Sequence, residues 1–181
     1  MANAPEQLIR DARQGKEKAL LRLFDEHHIP LFRFAWRLTG SAADAEDIVQ
    51  ECFLGLLKPF CGFDPERSAI RTYLFGAVRN QWLKRLRSRE QHAAPESAEY
   101  RNPESEALRG EVGTAVAKAI ADLPDTQREV LLLAHYEQLS LAEVAEITQL
   151  EITAVKSRLQ RARATLRETL AAYAPQTERA I

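Results

Sequence analysis

The sequence has 181 residues, of which 45% are hydrophobic and 28% charged, as is typical of a soluble globular protein with one ordinary or two small domains. No segment approaches the roughly 20 uninterrupted apolar residues of a membrane helix. The N-terminus carries no apolar run of signal-peptide length, so we expect a cytoplasmic protein without membrane insertion. The formal net charge of −1 argues by itself against a polyanionic partner.

Helical periodicity runs through most of the chain, and alternating strand patterns are nearly absent, so the sequence predicts an all-α fold. Two helix starts carry specific signals: Ser41 opens an S-x-x-D pattern, and Ser140 with Glu143 forms a capping box. Pro59 predicts the end of the third helix. The predicted helices span residues 5–14, 17–38, 42–58, 69–88, 110–121, 126–137, 141–148 and 152–172.

The third predicted helix has an acidic face beside its apolar stripe. Apolar residues recur there at steps of three and four, which predicts one buried stripe. A solvated face more usually mixes Lys and Glu, whereas this one is acidic with one exposed leucine. The stripe comprises Ala45, Ile48, Val49, Cys52, Phe53, Leu56 and Leu57, and the other face comprises Asp47, Gln50, Glu51 and Leu54.

The helix over 69–88 is basic, since residues 71 to 89 hold six Lys or Arg and no acid. Its outer face combines an aromatic ring and an amide with cations. This suits single-stranded DNA, because bases stack on rings while cations follow the phosphates. A tyrosine packed at a helix interface is an equally open alternative. The buried stripe comprises Leu74, Phe75, Val78, Trp82 and Leu86, and the outer face comprises Tyr73, Asn80, Lys84 and Arg87, with Arg79 alongside.

The helical periodicity breaks near residues 89–110, where the chain is rich in Glu, Pro and small polar residues. Such a composition cannot bury enough apolar surface to order itself alone. We therefore predict a flexible linker between an N-terminal helical domain and a smaller C-terminal one.

The C-terminal part predicts a helix-turn-helix, in which a short capped helix precedes a long basic one. Residues 155 to 167 hold five Lys or Arg and no acid, so DNA binding is favoured over an ordinary bundle helix. In a major groove, polar groups and Arg reach base edges while flanking cations contact phosphates. The inward stripe comprises Val155, Leu159, Ala162, Leu166 and Leu170, and the opposite face comprises Thr153, Ser157, Gln160 and Arg161, flanked by Lys156, Arg158 and Arg163.

Two stretches of the chain resemble one known family. The first, followed by the basic helix, resembles the core domain of bacterial RNA polymerase sigma factors: it reads "DAEDIVQECFLGLLKPFCGFD". The second resembles their promoter-binding C-terminal domain: it reads "LPDTQREVLLL…LSLAEVAEI…VKSRLQRAR". The resemblance covers about residues 6–172, and the two domains in this order resemble the extracytoplasmic-function subgroup.

The resemblance implies a non-enzymatic subunit that gives core RNA polymerase its promoter specificity. It implies a sigma domain 2 over 1–88, a linker over 89–110, a sigma domain 4 over 111–174 and a tail over 175–181. Core polymerase would be contacted at its β′ clamp helices and its β flap. The residues implied for the clamp helices are Asp47, Gln50, Glu51 and Leu54.

Domain 2 would bind the melted −10 strand of promoter DNA, and domain 4 would bind the −35 element as an intact duplex. The resemblance also implies an anti-sigma factor that holds the subunit inactive, and it implies neither a metal nor a cofactor. The −10 residues would be Phe63, in a loop that receives an extruded base, with Arg71, Tyr73, Arg79, Asn80, Lys84 and Arg87. The −35 residues would be Thr153, Lys156, Ser157, Arg158, Gln160, Arg161 and Arg163.

Several positions depart from the family pattern. Tyr73 replaces a tryptophan, Lys84 replaces an acid, and Gln149 replaces the turn glycine, which raises the cost of a left-handed turn. Thr153 and Ala154 stand where the family has a Gly-Thr pair. These changes leave the implied function intact but remove any basis for carrying over a promoter sequence.

Two other interpretations compete with this one. A stand-alone helix-turn-helix regulator would need an N-terminal ligand or dimerisation domain, yet no heptad seam appears, and that interpretation leaves the acidic face unexplained. An enzyme or metal site could be suggested by His27 and His28, but adjacent residues point to different helix faces and lack ligands at suitable spacing. Cys52 and Cys61 form no C-x-x-C pair, and we expect reduced, structural thiols.

Overall fold

The computed structural model describes residues 4–58, 62–92 and 110–173. Within these residues the chain is helical and contains no strand, which confirms the predicted all-α class. The helices are α1 (Ala4–Arg13), α2 (Glu17–Thr39), α3 (Ala42–Leu56), α4 (Ile70–His92), α5 (Glu111–Ala121), α6 (Asp125–Leu131), α7 (Leu141–Thr148) and α8 (Ile152–Thr169). A π-helical turn (Leu132–Tyr136) extends α6, and a 3₁₀ turn (Ala171–Tyr173) follows α8.

Both helix starts that carried sequence signals are capped as expected. The Ser41 hydroxyl accepts a hydrogen bond from the Asp44 amide at 3.2 Å, and Ser41 is thus the N-cap of α3. At α7 the Ser140 hydroxyl accepts from the Glu143 amide, and the Glu143 carboxylate accepts from the Ser140 amide at 2.8 Å. Each cap satisfies backbone donors that the first helical turn leaves unpaired, so both helices begin at defined residues.

Two predicted helices differ most from their observed form, and the last helix ends at Thr169 instead of residue 172. The basic helix α4 continues to His92, beyond the predicted end at residue 88 and into the predicted linker. The predicted helix over 126–137 changes at Leu132 into a π-helical turn, which no local propensity indicates. Residues 93–109 of the predicted linker, and the predicted tail after residue 174, lie outside the described residues.

Gln149 stands where the family pattern has a turn glycine, and it adopts the left-handed conformation expected at that position. Its φ is 57° and its ψ is 40°, and it ends α7 at the turn of the helix-turn-helix. The Gln149 side-chain amide donates to the carbonyl of Glu146 at 2.6 Å, and this bond offsets part of the steric cost of the conformation. The turn therefore adopts a left-handed conformation without a glycine.

The N-terminal half packs α2, α3 and α4 around one apolar core. Phe34 of α2 meets Phe75 of α4 edge to face, with ring centroids 5.3 Å apart. Ile48 of α3 and Val78 of α4 are fully buried in the same core, and Trp82 is nearly so. The two predicted apolar stripes are thus the faces by which α3 and α4 meet α2.

The C-terminal half packs α5 to α8 around a smaller core that includes Leu132, Leu133, Val144 and Val155. The two halves also touch: α4 packs on α7, and α2 contacts α6 and the π-helical turn. Their buried apolar residues form one contiguous cluster. The sequence predicted two separate helical units but gave no indication that their surfaces meet.

Candidate functional site

The acidic face of α3 lies on the surface, as predicted. Asp47, Gln50 and Glu51 are all exposed, and Leu54 beside them is 56% exposed. Arg85 of α4 reaches this face, with its Nη2 3.2 Å from Glu51 Oε1 and its Nη1 3.8 Å from Asp47 Oδ2. The face is therefore partly neutralised from within the chain, a feature that the sequence analysis missed.

An apolar groove runs beside Leu54 between α2 and α3, with a volume of about 890 Å³. Phe24 and Ile29 of α2 line it, and each is close to half exposed. The His28 ring stacks on Phe24 with centroids 4.4 Å apart, and its Nδ1 lies 2.9 Å from the Phe24 carbonyl oxygen. The sequence analysis missed this groove, although the apolar residues on the outer face of α2 were a usable signal.

The outer face of α4 presents Asn80, Lys84 and Arg87 to solvent, as predicted. Tyr73 is only partly exposed, because its ring meets Phe63 edge to face with centroids 5.1 Å apart. The Tyr73 ring thus borders a cleft and packs on a neighbour, although Phe63 lies in the loop before α4 and not at the helix interface that the alternative named.

This cleft has a volume of about 610 Å³ and lies where the extruded base was expected. Phe63, Tyr73 and Asn80 line it from the N-terminal half. Its other wall comes from the C-terminal half, from Glu146 of α7 and from Gln149, which follows α7. The structure thus brings three of the seven expected −10 residues around one cavity, and the other half of the chain closes part of it. The four expected cations do not line this cavity: they are Arg71, Arg79, Lys84 and Arg87.

Two further −10 candidates are held by the C-terminal half. The Arg79 Nε donates to Glu129 Oε2 of α6 at 2.6 Å, and its Nη2 lies 3.4 Å from the other carboxylate oxygen. Arg71 donates to the backbone carbonyl of Glu137, and its guanidinium lies 5.5 Å from the Phe75 ring centroid. Both arginines therefore face the other half of the chain in this arrangement.

The second helix of the helix-turn-helix, α8, presents the predicted polar face. Its inward stripe is confirmed for Val155, Leu159 and Ala162, which are buried, and Leu166 is partly buried. The exposed members of the predicted DNA face are Thr153, Lys156, Gln160, Arg161 and Arg163, while Ser157 and Arg158 are partly exposed.

Three contacts hold arginines of α8. Arg161 donates to the Ser157 hydroxyl at 2.9 Å, and Arg163 Nη2 lies 3.3 Å from His135 Nε2. Arg158 Nη1 donates to Glu129 Oε1 at 3.4 Å. Arg158 therefore shares its carboxylate partner with Arg79, although one was expected at the −35 element and the other at the −10 element.

A second apolar groove, of about 630 Å³, lies between α5 and α8. Val112, Tyr136 and Tyr173 border it and are each exposed, and Leu166 and Leu170 form part of its floor. Such a groove can accept an amphipathic helix, because an apolar helix face gains by leaving water.

Two titratable groups of the N-terminal half have shifted pKa values. Burial raises the pKa of the Cys52 thiol to about 12, so the thiol is neutral and poorly nucleophilic at physiological pH. Burial also lowers the pKa of His27. Among the described residues, no three His, Cys, Asp or Glu side chains lie close enough together to hold a metal ion. Cys61 lies outside the described residues.

Comparison with known proteins gives two family matches and a set of similar chains. The model of "Sigma-70 region 2" matches residues 23–92, and that of "Sigma-70, region 4" matches residues 114–166. The factor SigL of Mycobacterium tuberculosis is 37% identical over 161 residues, which cover 85% of this chain and 90% of SigL. SigW of Bacillus subtilis is 27% identical over 177 residues, which cover 90% of this chain and 94% of SigW.

Two solved structures share the fold of this chain. CnrH in complex with the cytosolic domain of CnrY superposes with a TM-score of 0.71, at 26% identity, covering 94% of this chain and 99% of CnrH. The sigma factor RpoE of Bartonella quintana, in complex with the anti-sigma factor NepR, gives 0.64 at 26% identity, covering 88% and 98%.

An all-α chain with an acidic surface face, a basic helix and a helix-turn-helix in this order has the organisation of a sigma-70-type initiation factor. This chain belongs to the extracytoplasmic-function family of bacterial RNA polymerase sigma factors. It binds core RNA polymerase and directs promoter recognition, promoter melting and transcription initiation. No helix in the described part of the chain is long and apolar enough to cross a membrane.

Proposed function

We propose that the two domains of this sigma factor have different roles. Residues 1–88 bind polymerase and the melted −10 strand, and residues 111–174 bind the −35 duplex and recognise its sequence. Residues 89–110 connect the two, and residues 175–181 form a tail. The exposed acidic face of α3 carries this proposal, because its carboxylates surround an exposed leucine, as in a surface that binds a basic partner helix. The factor acts as a non-enzymatic subunit in the bacterial cytoplasm, where its polymerase works.

Docking on the β′ clamp helices would use Asp47, Gln50, Glu51 and Leu54. Carboxylates accept charge-assisted hydrogen bonds from arginines on a partner helix, and the leucine supplies apolar area that leaves water beside them. Arg85 already pairs with Glu51 at 3.2 Å, so partner arginines would compete with it or share the same carboxylate. In the C-terminal half, the groove between α5 and α8 suits an apolar helical segment such as one from the β flap.

Capture of the −10 strand would use the cleft between Phe63 and Tyr73. Extruding a base costs a few kcal/mol, and stacking against an aromatic wall can offset that cost on one strand. Asn80 borders the cleft and can bond to a base edge. The cations Arg71, Arg79, Lys84 and Arg87 lie along the same helix and would follow the phosphates.

Reading of the −35 duplex would use the exposed face of α8 in the major groove. Arg161 is exposed and oriented by its bond to Ser157, so its guanidinium is available to a base edge. Thr153 and Gln160 lie on the same face, while Lys156 and Arg163 stand where flanking phosphates would pass. Arg158 would join them once released from Glu129.

An anti-sigma factor would bind the apolar groove between α2 and α3. The groove is continuous with Leu54 of the proposed docking face, so a helix lying there would exclude the polymerase. The Bartonella quintana relative was solved in complex with an anti-sigma factor. We therefore propose a partner helix with apolar residues facing Phe24 and Ile29.

The decisive test is transcription in vitro with core polymerase on a genomic promoter library. The wild-type chain should yield transcripts that share an upstream motif. The double variant Asp47→Arg with Glu51→Arg should lose them together with core binding, because close like charges cost several kcal/mol at an interface. The matched control, Glu17→Arg with Asp25→Arg, makes the same charge change at two other exposed positions of the N-terminal half.

Failure of the wild-type chain to direct core polymerase would reject the proposal. Tight binding of the chain alone to a specific duplex would then favour the stand-alone helix-turn-helix regulator. Native core binding by the double variant, with unchanged helix content, would reject the docking face alone.

A further inference from the structure

We propose that the N-terminal half has a second base pocket for the −10 strand, which lies between α3 and α4 and accepts guanine. This α3–α4 pocket has a volume of about 340 Å³, and Glu51 and Gly55 of α3 line it together with Gln81 and Lys84 of α4. The inference rests on the proposed capture of the −10 strand by α4. It goes further by assigning a second nucleotide and by naming Gly55 and Gln81 as residues that recognise it.

A ridge on α4 separates the α3–α4 pocket from the cleft described above. Tyr73, Ala77 and Asn80 form this ridge, because residues four and three positions apart lie on one face of a helix. All three line both cavities. Gly76 lines the cleft on one side of the ridge, and Gly55 lines the α3–α4 pocket on the other. Two consecutive bases of an unstacked strand can therefore lie on opposite sides of the ridge, one in each cavity.

The α3 wall of the pocket is open because Gly55 has no side chain. Gly55 lies in the last turn of α3, where helix propensity by itself disfavours glycine. A Cβ added there would meet no heavy atom within 4 Å beyond the neighbouring backbone, so the missing side chain leaves space inside the pocket. Cys52, three residues earlier, also lines the pocket and is buried. The pocket thus has room for a flat base and an uncharged wall beside it.

The rim of the pocket combines a carboxylate, an ammonium group and an amide. Glu51 and Lys84 are exposed, and Gln81 is partly buried. A carboxylate accepts hydrogen bonds, an ammonium group donates them, and an amide does both. The Watson–Crick edge of guanine has two adjacent donors, N1–H and N2–H, beside the acceptor O6, and no other base of DNA has two adjacent donors there. Glu51 can therefore accept from both donors of guanine while Lys84 or Gln81 donates to O6.

Arg85 holds Glu51 from outside the pocket. Its Nη2 donates to Glu51 Oε1 at 3.2 Å, and Arg85 does not line the pocket itself. The two oxygens of a carboxylate offer about four lone-pair sites, so Glu51 can keep this bond and still accept from a base. A side chain that is already held loses less conformational freedom when a ligand binds. Arg85 is thus a positioning residue for Glu51, and the pocket borders the proposed polymerase-docking face at this carboxylate.

The test measures binding of fluorescent fork DNA by the holoenzyme formed from the full-length chain and core polymerase. Each fork has a duplex −35 element and a single-stranded −10 strand, taken from a promoter found in the library transcription. One series places each of the four bases at every −10 nucleotide in turn, and another places hypoxanthine, which lacks the N2 donor of guanine. Beside the nucleotide held in the cleft, wild type should bind guanine about threefold to tenfold tighter than hypoxanthine, because one hydrogen bond is lost.

Two leucine substitutions fill the two cavities separately. Gly55→Leu fills the α3–α4 pocket and Gly76→Leu fills the cleft, and at both glycines an added Cβ meets no heavy atom within 4 Å beyond the neighbouring backbone. Gly55→Leu should abolish the guanine preference and keep the base preference at the cleft nucleotide, whereas Gly76→Leu should do the reverse. Gln81→Ala should weaken the guanine preference, and its control Gln7→Ala on α1 should leave it unchanged.

Loss of the guanine preference in Gly55→Leu, with the cleft preference retained, supports the second pocket. Equal binding of guanine and hypoxanthine by wild type at both neighbours of the cleft nucleotide overturns the inference, and so does a guanine preference that survives in Gly55→Leu. Core binding is measured for each variant, because Gly55 follows Leu54 of the docking face. If Gly55→Leu loses core binding, Gln81→Ala decides alone, and an unchanged preference in it overturns the inference. A base preference of wild type at the cleft nucleotide, which Gly76→Leu removes, shows that the proposed function stands when the second pocket fails.

Discussion

Arg85 of α4 and Glu51 of α3 are joined across the N-terminal half by a hydrogen bond of 3.2 Å between Nη2 and Oε1. The same guanidinium lies 3.4 Å from Asp44 and 3.8 Å from Asp47. One arginine of the proposed DNA-binding helix thus sits within the acidic cluster of the proposed polymerase-docking helix. The charge of the docking face is therefore set by α4 as well as by α3.

Replacing Arg85 should change how fast the factor finds core polymerase. Arg85→Gln removes the internal cation, so the docking face becomes more negative and attracts partner arginines more strongly at a distance. We expect a rise of about twofold to fivefold in the association rate at low salt, which fades as salt screens the charges. Stopped-flow fluorescence with labelled core polymerase at two salt concentrations measures it.

The control for this change is Arg22→Gln, which removes an arginine that pairs with Glu26 on the surface of α2. It should leave the association rate unchanged. An equal or slower rate for Arg85→Gln at low salt would mean that Arg85 orients the carboxylates for docking.

Arg161 and Lys156 of α8 should have different effects on DNA affinity. Arg161→Ala should lose about 1–3 kcal/mol and relax the preference at one or two base pairs of the −35 element. Lys156→Ala should weaken binding to all duplexes alike and flatten the salt dependence. Titrations of matched and scrambled −35 duplexes at several salt concentrations measure both effects. Equal losses on matched and scrambled DNA in both variants would exclude base reading by this helix.

The local features of this structure could be predicted from the sequence. Ser41 and Ser140 mark the first residues of two helices, because each belongs to a short capping pattern. The buried stripe that includes Ile48 and Val49 follows from the helical spacing of apolar residues. The exposed positions of Asp47 and Leu54 follow from the same spacing. The bounds and the faces of a helix depend mainly on residues a few positions away in the chain. A single sequence therefore contains most of the information from which they are predicted.

The contacts between distant residues could not be predicted in the same way. Arg85 and Glu51 are 34 residues apart in sequence, and Arg79 and Glu129 are 50 apart. The crossing angles of the helices and the available rotamers decide which distant side chains come into contact. Neither of these produces a periodic pattern in the sequence. The sequence analysis therefore assigned Arg79 to DNA from its place on a helix face and could not foresee its partner.

Gln149 should limit the stability of the C-terminal half. A non-glycine residue in the left-handed region costs about 1 kcal/mol, and the bond from its side chain to Glu146 offsets part of that cost. Gln149→Gly should therefore raise the free energy of unfolding by about 0.5 kcal/mol. Gln149→Val should lower it by about 1–2 kcal/mol, because a β-branched residue tolerates this conformation poorly. Urea unfolding of the full chain compares the three forms, and equal stability of the Gly and Val variants would contradict the argument.

His27 should make stability depend on pH near neutrality. Burial lowers its pKa, Glu26 opposes the shift and Arg71 adds to it, so the folded chain takes up a proton only below the ordinary value near 6.5. As the pH falls through that value, the unfolded chain binds the proton first and the folded state loses stability. Urea unfolding at about pH 7.5 and about pH 5.5 should show this loss, and His27→Gln should reduce it. An unchanged loss in the variant would assign it to other groups.

Tyr73 should matter only when the bases of the −10 element are unstacked. Its ring borders the cleft beside Phe63, where a captured base can stack, and losing such a platform costs about 1–3 kcal/mol per base. Tyr73→Ala should leave closed-complex formation on duplex promoter nearly intact and impair open-complex formation. A template with a pre-melted −10 bubble should rescue it only in part, because the captured strand still lacks its platform.

Permanganate reactivity of thymines in the bubble, with wild-type and variant holoenzyme at limiting concentration, measures this loss directly. Tyr73→Phe is the matched control, since it keeps the ring and its contact with Phe63 while removing the hydroxyl, and it should react like wild type. If Tyr73→Ala also gave wild-type reactivity on both templates, the ring would serve only to pack against Phe63. Capture of the strand would then depend on Asn80 and the cations of α4, and the cleft would not be the base pocket.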